Sequence, residues 1–410
     1  MKKLTIIALV VAITAVFTVS ATANDWNLYG SSRMATFYTS QDLGKSLEEV
    51  SPGQFIAVQN RDDANQDNIS DLRWNLQTNS RIGAKVKGDK VEGQFEFGVT
   101  SDGGGGNVST RRLYGIWKFA EGWGLKVGKD YTPIIFFLSG QVFNNDSGLK
   151  KLGVAYGDRR GQIAVEGKLG PGMLKVALID PSTSTLSTPS STTEVIIPKF
   201  EASYQFNLSD AMSFHAFGGY QTYDIKSANL LFGGTDSRSV NSWMLGLGAD
   251  MNFGPFYVKP QVSYYQNGAA AGWLNANYLT ATKRGFVEDF NANFGTAIPV
   301  DTVSTEVLDG NNLMAMMAFG FKPTESLGLE AGVGYVGFDT DSIQGISIKN
   351  NYMEYYLQAV ITLAKGVYIV PEIGYRDFGK NEGDRPPFVV APDTDNGSLF
   401  YAGAKWQIDF

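Results

Sequence analysis

Cysteine is missing from this chain, and histidine occurs once, as His215. The first absence excludes disulfides and thiolate metal sites. The second excludes multi-histidine metal centres and leaves one imidazole for acid–base chemistry. Charge is sparse too: 18% of residues are Asp, Glu, Lys or Arg, and the net charge is −7. That balance lacks the basic footprint a nucleic-acid partner requires. Past residue 23 no run of about 18 apolar residues occurs, so no transmembrane helix is expected there.

Residues 1–23 read as a cleaved signal peptide. Lys2 and Lys3 give the positive start, Leu4 to Val19 the apolar middle, and Ala21-Thr22-Ala23 a small-x-small cleavage site. One domain over 24–410 is expected to follow.

What is plentiful is glycine, 47 residues, and aromatic side chains, 13%, set in alternating patterns. The stretch Leu399 to Phe410 places Phe400, Ala402, Ala404, Trp406, Ile408 and Phe410 on one parity. Tyr401, Lys405, Gln407 and Asp409 fall on the other. A period of two is a strand with one face in an apolar medium and one in water. From Leu72 to Val86 apolar residues alternate with Arg73, Arg81 and Lys85. After a turn at Gly88-Asp89-Lys90, Val91, Phe95 and Phe97 alternate with Glu92 and Glu96. That is a hairpin with one apolar and one charged face.

About sixteen such strands are predicted, at 26–39, 71–87, 91–101, 110–119, 123–130, 158–169, 172–180, 194–207, 211–223, 240–253, 255–266, 311–322, 326–338, 349–363, 366–378 and 398–410. Short connections, such as 88–90 and 120–122, alternate with long ones, such as 131–157 and 267–310. Strands of about 10 residues with turns short on one side and long on the other indicate a membrane-spanning barrel. The predicted fold is therefore all-β: a transmembrane antiparallel up-and-down β-barrel.

With this layout, the ending Trp406-Gln407-Ile408-Asp409-Phe410 and the stretch Gly124-Leu125-Lys126-Val127-Gly128-Lys129-Asp130, residues 24–410 resemble the Gram-negative trimeric general porins. The resemblance implies a water-filled lumen narrowed by the third long loop, here 131–157, which folds inward. It also implies a homotrimer in the outer membrane, in contact with lipid and lipopolysaccharide. That family sets acidic loop groups against a basic wall. In this chain Asp146 is the loop's one carboxylate before Asp158. Basic candidates for the wall are Arg33, Arg73, Arg81, Arg112, Lys118 and Lys126, with Arg160 after the loop. Glu92 and Glu96, with Glu201, Glu330, Glu354 and Glu372, suggest a lumen of mixed charge.

Other motifs carry less. Gly332-Val333-Gly334-Tyr335-Val336-Gly337 matches G-x-G-x-x-G but lies inside a strand, so small residues where a strand bends or another element approaches are expected instead of a nucleotide site. Gly103 to Gly106 lacks the Gly-Lys-Ser/Thr of a phosphate loop. Asp63, Asn65 and Asp67 have calcium-loop spacing, but Trp74 stands where the bidentate Glu belongs. His215 has no nucleophile motif beside it. The aromatics of 267–310, among them Trp273, predict packing against the barrel mouth, an internal helix or a neighbouring subunit. No cofactor, metal or catalysis is expected. The function read from the sequence is passive diffusion of small hydrophilic solutes and ions, filtered by size and charge. The alternatives are a substrate-specific channel for an anion or a sugar, and a barrel-based adhesin or enzyme.

Overall fold

The computed structural model describes residues 25–410 except 43–44, 52–53, 60–68, 100–106, 184–191, 229–234, 275–305, 344–345 and 383–393. The predicted signal segment, the glycine run at 103–106 and the Asp63–Asp67 motif lie outside the described residues.

Among the described residues sixteen antiparallel strands close on themselves. They are β1 (Asp25–Asp42), β2 (Ile69–Leu76 and Arg81–Lys87), β3 (Val91–Val99), β4 (Val108–Ala120), β5 (Trp123–Tyr131), β6 (Arg159–Leu169), β7 (Gly172–Ile179) and β8 (Thr192–Glu194 and Lys199–Ser209). Then come β9 (Met212–Ala228), β10 (Thr235–Phe253), β11 (Phe256–Gln266), β12 (Gly310–Phe321), β13 (Leu327–Thr340), β14 (Lys349–Ala364), β15 (Val367–Asp377) and β16 (Ser398–Asp409). Each strand pairs with its sequence neighbours. Closure is made by β1 on β16, in register from Ser31 opposite Asp409 to Asp42 opposite Ser398. Gly30 and Phe410 exchange backbone hydrogen bonds at 2.7 and 3.1 Å, so the ladder runs to the last residue. Among the described residues the barrel sheet has no unpaired edge.

The pleat sorts the side chains as the alternation predicts, and in an order opposite to that of a water-soluble sheet. Leu72, Trp74, Ile82, Leu113, Leu245, Leu247, Leu357, Trp406 and Ile408 are exposed on the outer face. Gln94, Glu96, Gln162, Glu201, Gln261, Glu354, Gln358 and Glu372 are buried inside. Backbone groups are satisfied strand to strand, so such an outer face fits hydrocarbon. Trp243 and Phe253 mark the band on β10. They are ten residues apart, roughly 33 Å along the strand and about 25 Å along the normal once tilted, the height of a barrel's apolar belt.

Several boundaries differ from the predicted ones. The strands β1, β9 and β10 run past the belt at the long-loop end. The 71–87 strand breaks at Gln77–Ser80, and β8 breaks between Glu194 and Lys199. An alternating pattern carries through a break of even length, so neither interruption shows in the sequence.

An arginine at Ala404 tests the outer face. Ala404 sits opposite Thr36 and Pro371, on the parity of Trp406 and Ile408. Ala404→Arg should cost about 2–4 kcal/mol near the midplane, and Ile408→Arg less, toward the interface. Denaturant unfolding in lipid reads the difference; full stability in both variants would place that face elsewhere.

Candidate functional site

The segment 131–157 between β5 and β6 folds into the barrel and crosses to the far wall. Its path follows from its composition. Ile134 packs with Trp273, Phe217 and Met244; Leu138, Leu149 and Val154 with Met316, Ala318 and Tyr356; Val142 and Phe143 with Phe37, Val370 and Tyr401. Apolar loop residues thus fill apolar gaps in a largely polar lumen.

Carboxylates on the wall finish the attachment. Glu330 accepts the Gly140 N–H at 2.6 Å and the hydroxyls of Tyr257 and Tyr356. Glu372 accepts the Val142 and Phe143 N–H groups at 2.6 and 3.1 Å. Glu354 accepts from Gln141 and from Arg376. On the other side, Gln261 accepts the Ala155 N–H at 2.6 Å. The break in β2 is a second anchor: the Thr78 N–H donates to Asn145 Oδ1, Asn79 to the Asn145 carbonyl, and Gln77 to the Val142 carbonyl. Asn144, Asn145 and Asp146 all have positive φ, 52° to 63°, a tight left-handed turn that Asn and Asp tolerate best.

Gly332 to Gly337 has the structural role expected of it. A Cβ on Gly334 would lie 1.9 Å from the Leu152 carbonyl oxygen, so β13 is bare where the loop backbone crosses.

Between the loop and the wall of β1 to β6 lies a cavity of about 570 Å³. Among its described lining residues are seven cations, Arg33, Arg81, Arg111, Arg112, Lys150, Arg159 and Lys405, and one carboxylate, Asp146. Two further acids stand behind the cations. Glu96 accepts from Arg111 at 2.7 Å and lies 3.9 Å from Arg81. Asp130 accepts from Arg112 at 2.7 Å. Seven positive charges face three negative ones, an excess of four. The Arg112 guanidinium also lies over Tyr131, 5.4 Å from the ring centre, with Arg159 at 5.3 Å from the same ring.

The predicted site residues divide as follows. Arg33, Arg81, Arg112 and Asp146 come together at this cavity, Arg33 ion-paired to Asp146. Glu96 is there as a buried partner. Lys126 stands behind, held between Asp130 and Glu166 at 3.0 and 3.1 Å. Arg73 is nearer the long-loop end, 3.9 Å from Asp71 and 5.8 Å from the Phe143 ring centre. Lys118 and Glu92 pair with each other at 2.5 Å, next to the short turn at Gly88 and away from the cavity. Arg160 lies 3.8 Å from Asp180, and Arg159 borders the cavity in its place. Asp158, at φ 63°, turns the chain as it enters β6 and changes which arginine points at the opening. Glu201, Glu354 and Glu372 are buried beneath inward-folded segments, and Glu330 borders a second cavity beside Lys322, Glu325, Lys405 and Asp409.

Sequence reading passed over Arg111, Lys150, Arg159 and Lys405. Arg111 was hidden by a β-bulge: Glu96 pairs with Arg112 and Phe97 with Thr110, leaving Arg111 unpaired on the same face as Arg112. A strict period of two assigns it to lipid. Lys405 was legible, on the inward parity of the last strand.

Two other features resolve here. His215 is buried, stacked on Phe136 at 3.8 Å, and 3.3 Å from Gln261 Nε2; it packs the inward loop against β9. Part of the longest loop also enters the lumen. Trp273 is 0% exposed and donates to Glu201 at 2.8 Å, while Lys199 donates to the Ala271 carbonyl. Of these aromatics Trp273 is the one among the described residues, and it packs inside the barrel mouth. No group of three or more His, Asp or Glu residues suited to a metal occurs among the described residues.

By sequence, no family model and no curated protein matches the chain. By structure, it is similar to the outer-membrane channel DcaP of Acinetobacter baumannii: TM-score 0.63, 15% identity, 95% of this chain and 99% of that one. It is also similar to an anion-selective porin from Comamonas acidovorans: TM-score 0.56, 12% identity, 94% and 100% of the two chains. Salmonella typhi OmpF, solved with daunomycin, matches at TM-score 0.53 and 13% identity over 95% and 99%. The fold is that of the outer-membrane porins and channels.

Proposed function

We propose that this protein is a passive diffusion channel of the Gram-negative outer membrane for small hydrophilic solutes, and that it favours anions. The observation that carries this reading is the opening beside the inward loop, with its excess of four positive charges. A narrow, low-dielectric passage lined by one sign of charge concentrates counter-ions of the other. The loop 131–157 sets the size limit and the arginines set the bias. The wall acids Glu330, Glu354 and Glu372 are engaged in holding the loop. Likeness of fold to an anion-selective porin is in keeping with this. Cleavage after Ala23, export, and assembly as a homotrimer in contact with lipopolysaccharide belong to the same proposal.

Planar-bilayer recording in a potassium chloride gradient tests it. The reversal potential should show chloride passing ahead of potassium, and current should rise linearly with salt. A reversal toward potassium would overturn the charge reading, and no conductance would overturn the channel. Saturation by one solute alone would favour the substrate-specific alternative.

The bias should depend on pH through Lys150. This loop residue is buried beside other cations, and burial pulls its ammonium down from the usual lysine range to about 8, against the attraction of Asp146. Raising the pH from 7 to 9 should remove that charge and weaken the pull on chloride roughly two- to threefold, the effect of one charge on one ion at roughly 7 Å in water. Lys150→Met should abolish the dependence; a profile unchanged by that substitution would place the titration elsewhere. The same depression means the unfolded chain holds this proton longer. Stability should therefore rise from pH 8 toward the ordinary lysine range.

A further inference from the structure

Two loop residues three apart each touch both strands that close the barrel. Phe143 stacks on Tyr401 of β16, with centroids 3.8 Å apart and planes 8° from parallel. It also meets Phe37 of β1 edge-on at 5.3 Å. Asp146 gives one carboxylate oxygen to Arg33 of β1, and the other lies 3.2 Å from Lys405 of β16. Arg33 stands opposite Gln407, and Lys405 opposite Ala35, so both contacts straddle one seam on its inner face. The same Asp146 oxygen that meets Arg33 accepts from Asn79 at 2.8 Å, which ties in β2, the other neighbour of β1.

This seam differs from the rest of the barrel. Other adjacent strands follow one another in sequence, and a turn or loop holds them near. β1 and β16 are joined only through the whole intervening chain, so their pairing carries the largest loop-closure entropy in the fold. An interior contact bridging them adds most at that place.

We infer that residues 142–146 are a clasp on the closing seam, so that seating the loop and completing the β1–β16 ladder are one cooperative event. Phe143 and Asp146 are positioning residues for the opening: they act through the seam. Chain order gives this a consequence. The loop follows β5, but its seat does not exist until β16 has paired with β1. The opening takes its final shape at the last step of assembly, and a loosened seam loosens the opening. The inference does not depend on the sign of ion preference.

Hydrogen exchange on the full barrel in lipid nanodiscs tests it, with Asp146→Asn and Phe143→Ala as seam variants and Leu138→Ala as the control. Leu138 packs on Met316, Ala318 and Tyr356, away from the seam. Each seam variant should speed amide exchange along β1 and β16 tenfold or more while leaving the β9–β10 ladder unchanged. Leu138→Ala should leave the seam unchanged. Unaltered seam exchange in Asp146→Asn overturns the clasp, and so does an equal rise in the control. If Phe143→Ala fails to fold, Asp146→Asn carries the test alone.

Discussion

Replacing Arg81 and Arg159 together by glutamine should weaken the pull of the opening on chloride about sevenfold and move the reversal potential toward potassium. The pair is chosen for its partners. Arg81 lies a loose 3.9 Å from Glu96, which retains Arg111 at 2.7 Å. Arg159 donates to the Tyr131 hydroxyl at 3.1 Å. Neither substitution strips a buried acid of its close partner, so the fold should persist. Each charge acts on an ion at roughly 7 Å with about 0.6 kcal/mol in water; two give about 1.2 kcal/mol. Arg112 is the contrasting case. It is bonded to buried Asp130 at 2.7 Å, and although Lys126 would keep that acid paired, Arg112→Gln removes a charge-assisted hydrogen bond at a cost of about 1.5–3 kcal/mol. Selectivity and stability should therefore separate: Arg81→Gln/Arg159→Gln changes the reversal potential with little change in unfolding, whereas Arg112→Gln changes both. An unmoved reversal potential in the double variant would mean that these side chains do not set the ion bias.

The second large effect is expected at Gly334. A Cβ there would overlap the Leu152 carbonyl oxygen, a backbone atom with no rotamer to escape into. On the loop side a Cβ on Gly153 would lie 2.7 Å from the Ala315 carbonyl oxygen of β12 and 3.1 Å from the Gly334 Cα, and its φ of 128° suits only glycine. Gly334→Val therefore forces the loop and β13 apart at a cost of about 1–3 kcal/mol. β13 is held by full ladders on both sides, the loop by a few side-chain contacts, so the loop moves. Single-channel conductance should rise and size exclusion relax while the barrel stays folded. Wild-type conductance in Gly334→Val would show that the loop does not pass over this strand.

The reach of the sequence is seen in particular residues. Trp406 and Ile408 announce an outer face, and Tyr401 and Lys405 an inner one, because a pleated strand alternates without help from its neighbours. Gly334 announces a close approach, though not what approaches. Arg111 could not be read, because a bulge depends on the partner strand. Arg159 was displaced from expectation by one left-handed residue, Asp158. The role of Glu330, Glu354 and Glu372 could not be read either: they face inward as predicted, but the loop that covers them lies 190 to 230 residues away in the chain.

What the sequence alone determined was the alternation, the number of crossings and which connections are short and which long, since these follow from local backbone geometry and a two-phase environment. Only the tertiary structure decided which charges face open water and which hold the loop. That depends on where a single segment lies across the lumen, and its position is set by contacts with strands that the chain supplies only later.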